Sequence, residues 1–220
     1  MPIIASMEET TVDAGEFGAW LDRMRRVLRG QAEADVPCGT CVGCCVSRYY
    51  IRIRRQDRAA VAGIAASYLL TPAGITPGDA LMGWRHDGTC PALVERRCTI
   101  YSQRPLTCRD YDCRVFVAAG LEAGNDDKQV INERVHAWRF TYATGDARRR
   151  HESVLAAARF IKRHGDRFPA GFAPETPTGI AVLAIKVASV FESSEELVTD
   201  QQLAAKANAA LIAARAFDGA

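Results

Sequence analysis

Apolar residues recur at three- and four-residue intervals along most of the chain, the period of an amphipathic helix. Phe17, Trp20, Leu21, Met24, Val27 and Leu28 form the first such stripe. Asp13, with Glu16 three residues on, resembles a capping box. A helix is therefore expected over residues 14–33, with Arg23, Arg25, Arg26 and Arg29 toward solvent. Residues 38–47 are rich in glycine and cysteine and fit neither periodic template. Residues 49–54 alternate and carry aromatic and β-branched side chains, so they predict a short strand. Asp57 is placed to cap a helix whose stripe is Val61, Ile64, Ala65 and Tyr68. Residues 71–78, with two prolines and two glycines, predict a loop. Two short strands around a turn are expected between Trp84 and Tyr101. Arg104-Pro105 then opens a turn into a short helix bearing Cys108 and Cys113.

Beyond residue 128 the helical period dominates. Val130, Ile131, Val135, Trp138 and Phe140 predict one helix, ended by Gly145. Asp146 is expected to cap a second, with Val154, Leu155, Ala158 and Ile161 on one face and His164-Gly165 as its stop. A proline-containing loop, 169–177, leads to an apolar helix over 178–192. Thr199 with Gln202 is a capping box for a last helix carrying Leu203, Leu211 and Phe217. The expected fold is α+β and predominantly helical: a small cysteine-rich centre with short strands (36–118), an N-terminal helix packed on it (1–35), and a helical C-terminal segment (119–220).

Composition narrows the function. The chain has 220 residues, 48% hydrophobic and 25% charged, which is globular composition. Residues 1–113 carry 14 Lys/Arg and 13 Asp/Glu, and residues 114–220 carry the same numbers. That even split offers no basic half for nucleic acid. The longest nearly apolar run, residues 179–191, is shorter than the roughly 20 residues of a bilayer span and contains Lys186, so no membrane span is expected. No secretory signal pattern is visible at the N-terminus, and a reducing, cytoplasmic setting is expected.

All eight cysteines lie between residues 38 and 113. Cys38, Cys41, Cys44 and Cys45 form two overlapping C-x-x-C steps ending in a vicinal pair; Cys90, Cys98, Cys108 and Cys113 follow. Two residues between cysteines let both sulfurs turn onto one ion. Two thiolates about 4 Å apart repel by roughly 4 kcal/mol at an effective dielectric of 20, so a cluster of them favours a cation. Eight cysteines also allow 105 disulfide pairings, yet a reducing compartment and the C-x-x-C steps point to metal. Cys38, Cys41, Cys44 and Cys90 suit one [4Fe–4S] cluster and Cys45, Cys98, Cys108 and Cys113 a second; two four-cysteine zinc sites suit the same count. In extended backbone Cys44 and Cys45 diverge, which predicts different ions for them, or one as a bridge or outer thiol.

Eleven arginines fall between Arg48 and Arg114. A metal ion with four thiolates is a net anion, so guanidinium donors nearby would stabilise it; Arg104 and Arg109, flanking Cys108, are the best placed. The histidines, His86 included, are expected to be non-ligands. No catalytic triad or carboxylate pair stands at informative spacing.

Cys38-x-x-Cys41-x-x-Cys44-Cys45, Cys90-Pro-x-Leu93 and Cys98-x-Ile-Tyr101-x-x-Arg104-Pro-x-x-Cys108-Arg-x-Tyr-x-Cys113 together resemble the CxxCxxCC cysteine-cluster proteins, the YkgJ-type zinc- or iron-chelating family, over about residues 36–116. Related motifs occur in flagellin lysine-N-methylases, which are associated with an iron–sulfur cluster and S-adenosylmethionine. The resemblance thus implies iron, as one or two clusters, with zinc as the alternative, and a redox or modifying role toward a protein or peptide partner. It implies no methylase activity, because the C-terminal segment carries no matching motif.

Overall fold

The structure, a computed structural model, describes residues 11–193 and 199–219. Strand β1 (Val12–Glu16) runs directly into helix α1 (Phe17–Leu28). Glu16, not Asp13, caps α1 by accepting from the Ala19 N–H at 2.6 Å. Asp13 instead accepts from the Gly15 N–H at 2.7 Å and supports a bulge in which Gly15 holds φ at +89°. The start expected of the helix is therefore strand, because only glycine adopts that φ readily. The apolar stripe of α1 is buried as expected.

The central segment contains strand β2 (Ile51–Ile53), helix α2 (Arg58–Ala62), strands β3 (Leu69–Leu70), β4 (Ala80–Met82), β5 (Leu93–Val94) and β6 (Arg97–Cys98), and helices α3 (Leu106–Asp110) and α4 (Arg114–Ala119). β2, β4 and β3 form an antiparallel sheet in that order, and β5 and β6 a hairpin. Glu95 and Arg96 both take positive φ at the hairpin tip, the pattern of a tight two-residue turn whose twist matches the strands. Asp57 begins α2, but its carboxylate does not cap that helix; it accepts from the N–H groups of Arg54 and Leu106 at 2.9 and 3.0 Å and so fastens α3 to the end of β2. Ile53, Ala60, Ile64, Met82, Ala92 and Ile100 make a small separate core beneath this sheet.

Helix α5 (Gln129–Ala137) ends earlier than its periodicity suggested, because strand β7 (Trp138–Thr141) pairs in parallel with β1, Val12 opposite Trp138. Helices α6 (Gly145–Arg163), α7 (Pro177–Val187) and α8 (Asp200–Asp218) complete the chain. Thr144 rather than Asp146 caps α6; Asp146 pairs with Arg149 instead. The Thr199–Gln202 capping box of α8 is present, and α7 starts on Thr176 with proline in its first turn. α1, α4, α6, α7 and α8 enclose the main core with Trp138, Phe116 and Ile185 fully buried. The molecule is a predominantly helical α+β protein. No described helix is long and apolar enough to cross a membrane.

Candidate metal centre

The first cysteine group lies on a loop that folds back on itself. The Cys41 N–H donates to the Cys38 carbonyl at 3.0 Å, and the Gly43 N–H points at the Cys41 sulfur at 3.4 Å. Residues Gly43–Cys45 form one 3₁₀ turn, pinned where the Ser47 hydroxyl donates to the Gly43 carbonyl at 2.6 Å. A Cβ on Gly43 would lie 3.3 Å from Ile131, so its bare Cα lets the loop rest on α5. The backbone is not extended here, and Cys44 and Cys45 do not diverge: their sulfurs are 4.0 Å apart. That corrects the expectation drawn from extended geometry.

The second group is brought to the first by main-chain contact. The Cys90 N–H donates to the Cys45 carbonyl at 2.7 Å. The Cys90 loop is held from within by Arg85, whose guanidinium donates to the carbonyls of Pro91 and Leu93 at 2.7 and 2.6 Å. Asp87 accepts from the Thr89 N–H and hydroxyl and closes the turn. Cys98 comes from β6 and Cys108 from α3; Cys113 caps α4, and its sulfur accepts from the Trp138 indole at 3.3 Å.

Electrostatic neighbourhoods sort the eight thiols. Burial pushes Cys108 up to about 12, with Cys44, Cys90 and Cys98 acting on it. Cys98 is raised by burial, then by Cys90 and Cys44. Burial also lifts Cys113 to about 12 and Cys38 to about 11; Cys38 and Cys41 act on Cys113, and Cys44 and Cys41 on Cys38. Cys98 and Cys108 thus feel Cys44 and Cys90, and Cys113 feels Cys38 and Cys41. The close approach of Cys45 to Cys44 and Cys90 raises Cys45 and lowers Cys44, and brings Cys90 down to about 7.

All eight cysteines are free thiols. Among the described residues no three His, Cys, Asp or Glu side chains already form a ligand shell. The donor set nonetheless fits a soft metal: the 4.0 Å between Cys44 and Cys45 approaches the roughly 3.8 Å edge of a tetrahedron with 2.3 Å metal–sulfur bonds.

Of the two arginines singled out, Arg104 is beside the thiols: its charge favours the thiolates of Cys98 and Cys108, and its guanidinium stacks 3.9 Å over Tyr101. Its buried Nε has no hydrogen-bond partner. Arg109 turns elsewhere, to Glu33 at 2.6 Å and Asp57 at 4.0 Å. Arg134 and Lys128 escaped the sequence reading. Arg134 donates to the Pro37 carbonyl at 3.0 Å and acts on Cys38; Lys128 donates to the Ser47 carbonyl at 2.6 Å. Both belong to the α5 region, some 80 to 97 residues away along the chain, and nothing local in the sequence announces them. His136 pairs with Glu122, His151 stacks on Phe17, and His164 ends α6.

Cys44, Cys45, Cys90 and Cys108 form part of the wall of a cavity of about 190 Å³, whose other walls are chiefly Tyr49, Tyr50, Met82, Trp84 and Tyr111. Residues 37–134 match the family model CxxCxxCC, described as "Putative zinc- or iron-chelating domain". No curated protein and no solved structure matches the chain. The match runs past Cys113 to residue 134, taking in the α5 contacts that brace the Cys38–Cys45 loop. Over those residues, a little under half of the chain, the protein is similar to the CxxCxxCC family.

Proposed function

We infer that the cysteines of residues 37–134 hold iron as one or two iron–sulfur clusters of the [4Fe–4S] type, in a cytoplasmic protein with a redox or protein- or peptide-modifying role. One observation carries this reading: four of the thiols face an open cavity. A structural metal is closed off by its ligands, whereas a working centre leaves an approach. When bound, such a cluster supplies one-electron transfer at a potential set by charge, hydrogen bonds and exposure. The chain's own residues contribute charge and position. Arg104 offsets thiolate charge at Cys98 and Cys108, Arg85 fixes the Cys90 loop, and Arg134 holds the strand of chain entering Cys38.

Zinc is the second reading, favoured by the 4.0 Å Cys44–Cys45 spacing, which is close to that around a single tetrahedral ion. Anaerobic purification with elemental analysis and visible absorption separates the two. Iron with acid-labile sulfide, and a broad visible band that bleaches with dithionite, is the expected result. A colourless protein containing zinc alone overturns it in favour of the second.

A further inference from the structure

We propose that the cavity beside the thiols is a binding site for a small aromatic carboxylate, its ring held among Tyr49, Tyr50, Trp84 and Tyr111 and its carboxylate at Arg48. The inference deepens the functional reading above, on which it rests for the orientation of the ligand.

The volume sets the size. At about 190 Å³, any space taken by a bound metal included, the cavity is smaller than the roughly 300 Å³ at which drug-sized pockets begin, so two fused rings are the upper limit of a guest. The walls set the shape. Tyr50 and Trp84 lie 4.2 Å apart with planes tilted 45°, and Tyr49 and Tyr111 lie 5.6 Å apart at 55°. Met82, fully buried, supplies a polarisable sulfur to the same space. Flat faces and edges arranged in this way favour a planar guest over a saturated one.

Charge sets the polarity. Arg48 is the only Asp, Glu, Lys or Arg side chain in the lining. Asp127, whose carboxylate feels the Arg48 charge, is itself bonded by Lys128. Arg48 also holds φ at +52°, a conformation that glycine adopts without strain, and its side chain lies against Gly88. An arginine kept in that backbone conformation, with its stem laid over a glycine, is a placed cation. The thiols line the cavity too, and thiolates bound to metal are negative, so the ring lies toward them and the carboxylate toward Arg48.

The test is isothermal titration calorimetry on the metal-loaded full-length protein, prepared anaerobically, with metal content measured on the same sample. Three probes are used: 2-naphthoate, 2-naphthylmethylammonium and cyclohexanecarboxylate. We expect 2-naphthoate to bind at least tenfold more tightly than either of the others, the first contrast reading charge and the second flatness. Arg48→Met should weaken 2-naphthoate by ten- to a hundredfold, as for loss of a charge-assisted contact, and tighten rather than weaken the ammonium probe. Arg48→Lys should recover part of the loss. Trp84→Leu should weaken both naphthyl probes. Equal or tighter binding of the ammonium probe, or an Arg48→Met variant that binds 2-naphthoate like the parent, overturns the proposal. Metal present without probe binding defeats this inference and leaves the metal reading standing. Probe binding to a protein without iron does the reverse.

Discussion

Gly88 holds φ at +83°, and a Cβ there would come within 2.5 Å of the Arg48 Nε. The Arg48 side chain can swing aside, but the backbone angle cannot be relieved. Gly88→Ala should therefore cost about 1–2 kcal/mol, the penalty for a left-handed L-residue, read as a lower urea midpoint with unchanged slope. The cysteines lend themselves to a similar one-residue test. Cys108 has Cys44, Cys90 and Cys98 around it, and Cys41 adjoins Cys38 and Cys113. Cys108→Ala and Cys41→Ala should each lower bound metal per chain, measured by elemental analysis; a variant retaining full metal removes that residue from the ligand set. At this scale the sequence singles out the eight thiols by their spacing. It does not show which of them come close in space. The Cys44–Cys45 geometry depends on a 3₁₀ turn, and the Cys45–Cys90 contact on a hydrogen bond spanning 45 residues.

Between elements, one joint is built on a buried ion pair. Arg114, 6% exposed, meets Asp112, 4% exposed, at 2.8 Å. Arg114 also donates to the carbonyls of Ala14 and Asp35, and Trp20 of α1 donates to Asp112 at 2.9 Å. One network thus ties β1, α1 and the approach to Cys38 to the residue preceding Cys113. Asp112→Ala strands a buried cation and should cost about 3–5 kcal/mol in chemical denaturation, with Asp112→Asn milder because one acceptor oxygen remains. A second joint links α1, β7 and α6. His151 stacks on Phe17 at 4.2 Å, its Nδ1 is 2.6 Å from the Tyr142 hydroxyl, and its buried Nε2 has no partner. Burial lowers its pKa. The unfolded chain then takes up the proton first, so stability is full above the ordinary histidine value near 6.5 and falls as pH drops through it toward the lower folded value. Urea midpoints should be level from about pH 8 to 7 and decline below about 6.5, and His151→Gln should flatten that decline. Helices with a polar face and a cap were legible here, α8 most completely. β7 was not, because Trp138 lies three residues after Val135 and so continues the helical stripe of Ile131 and Val135, and its partner β1 lies more than 120 residues away.

Across the whole molecule, apolar burial is unevenly shared. The main core draws on α1, α4, α6, α7 and α8, whereas the sheet of the cysteine-bearing segment rests on six buried residues, two of them alanine. So small a cluster buries too little apolar surface to order its loops alone, and small domains of this kind lean on metal or disulfides. Hydrogen bonds across the boundary, such as Lys128 to Ser47 and Arg134 to Pro37, anchor the cysteine loop on the helical side but do not fill the space between the two cysteine groups. Stability should therefore be divided in the same way. Stripping the metal anaerobically with a chelator should raise amide hydrogen exchange in peptides spanning residues 50–110, while peptides from α6 and α7 keep their protection and the far-ultraviolet helical signal persists. Exchange rising equally in both regions would mean one cooperative unit, and unchanged exchange in residues 50–110 would mean that the metal contributes nothing to the order of the sheet.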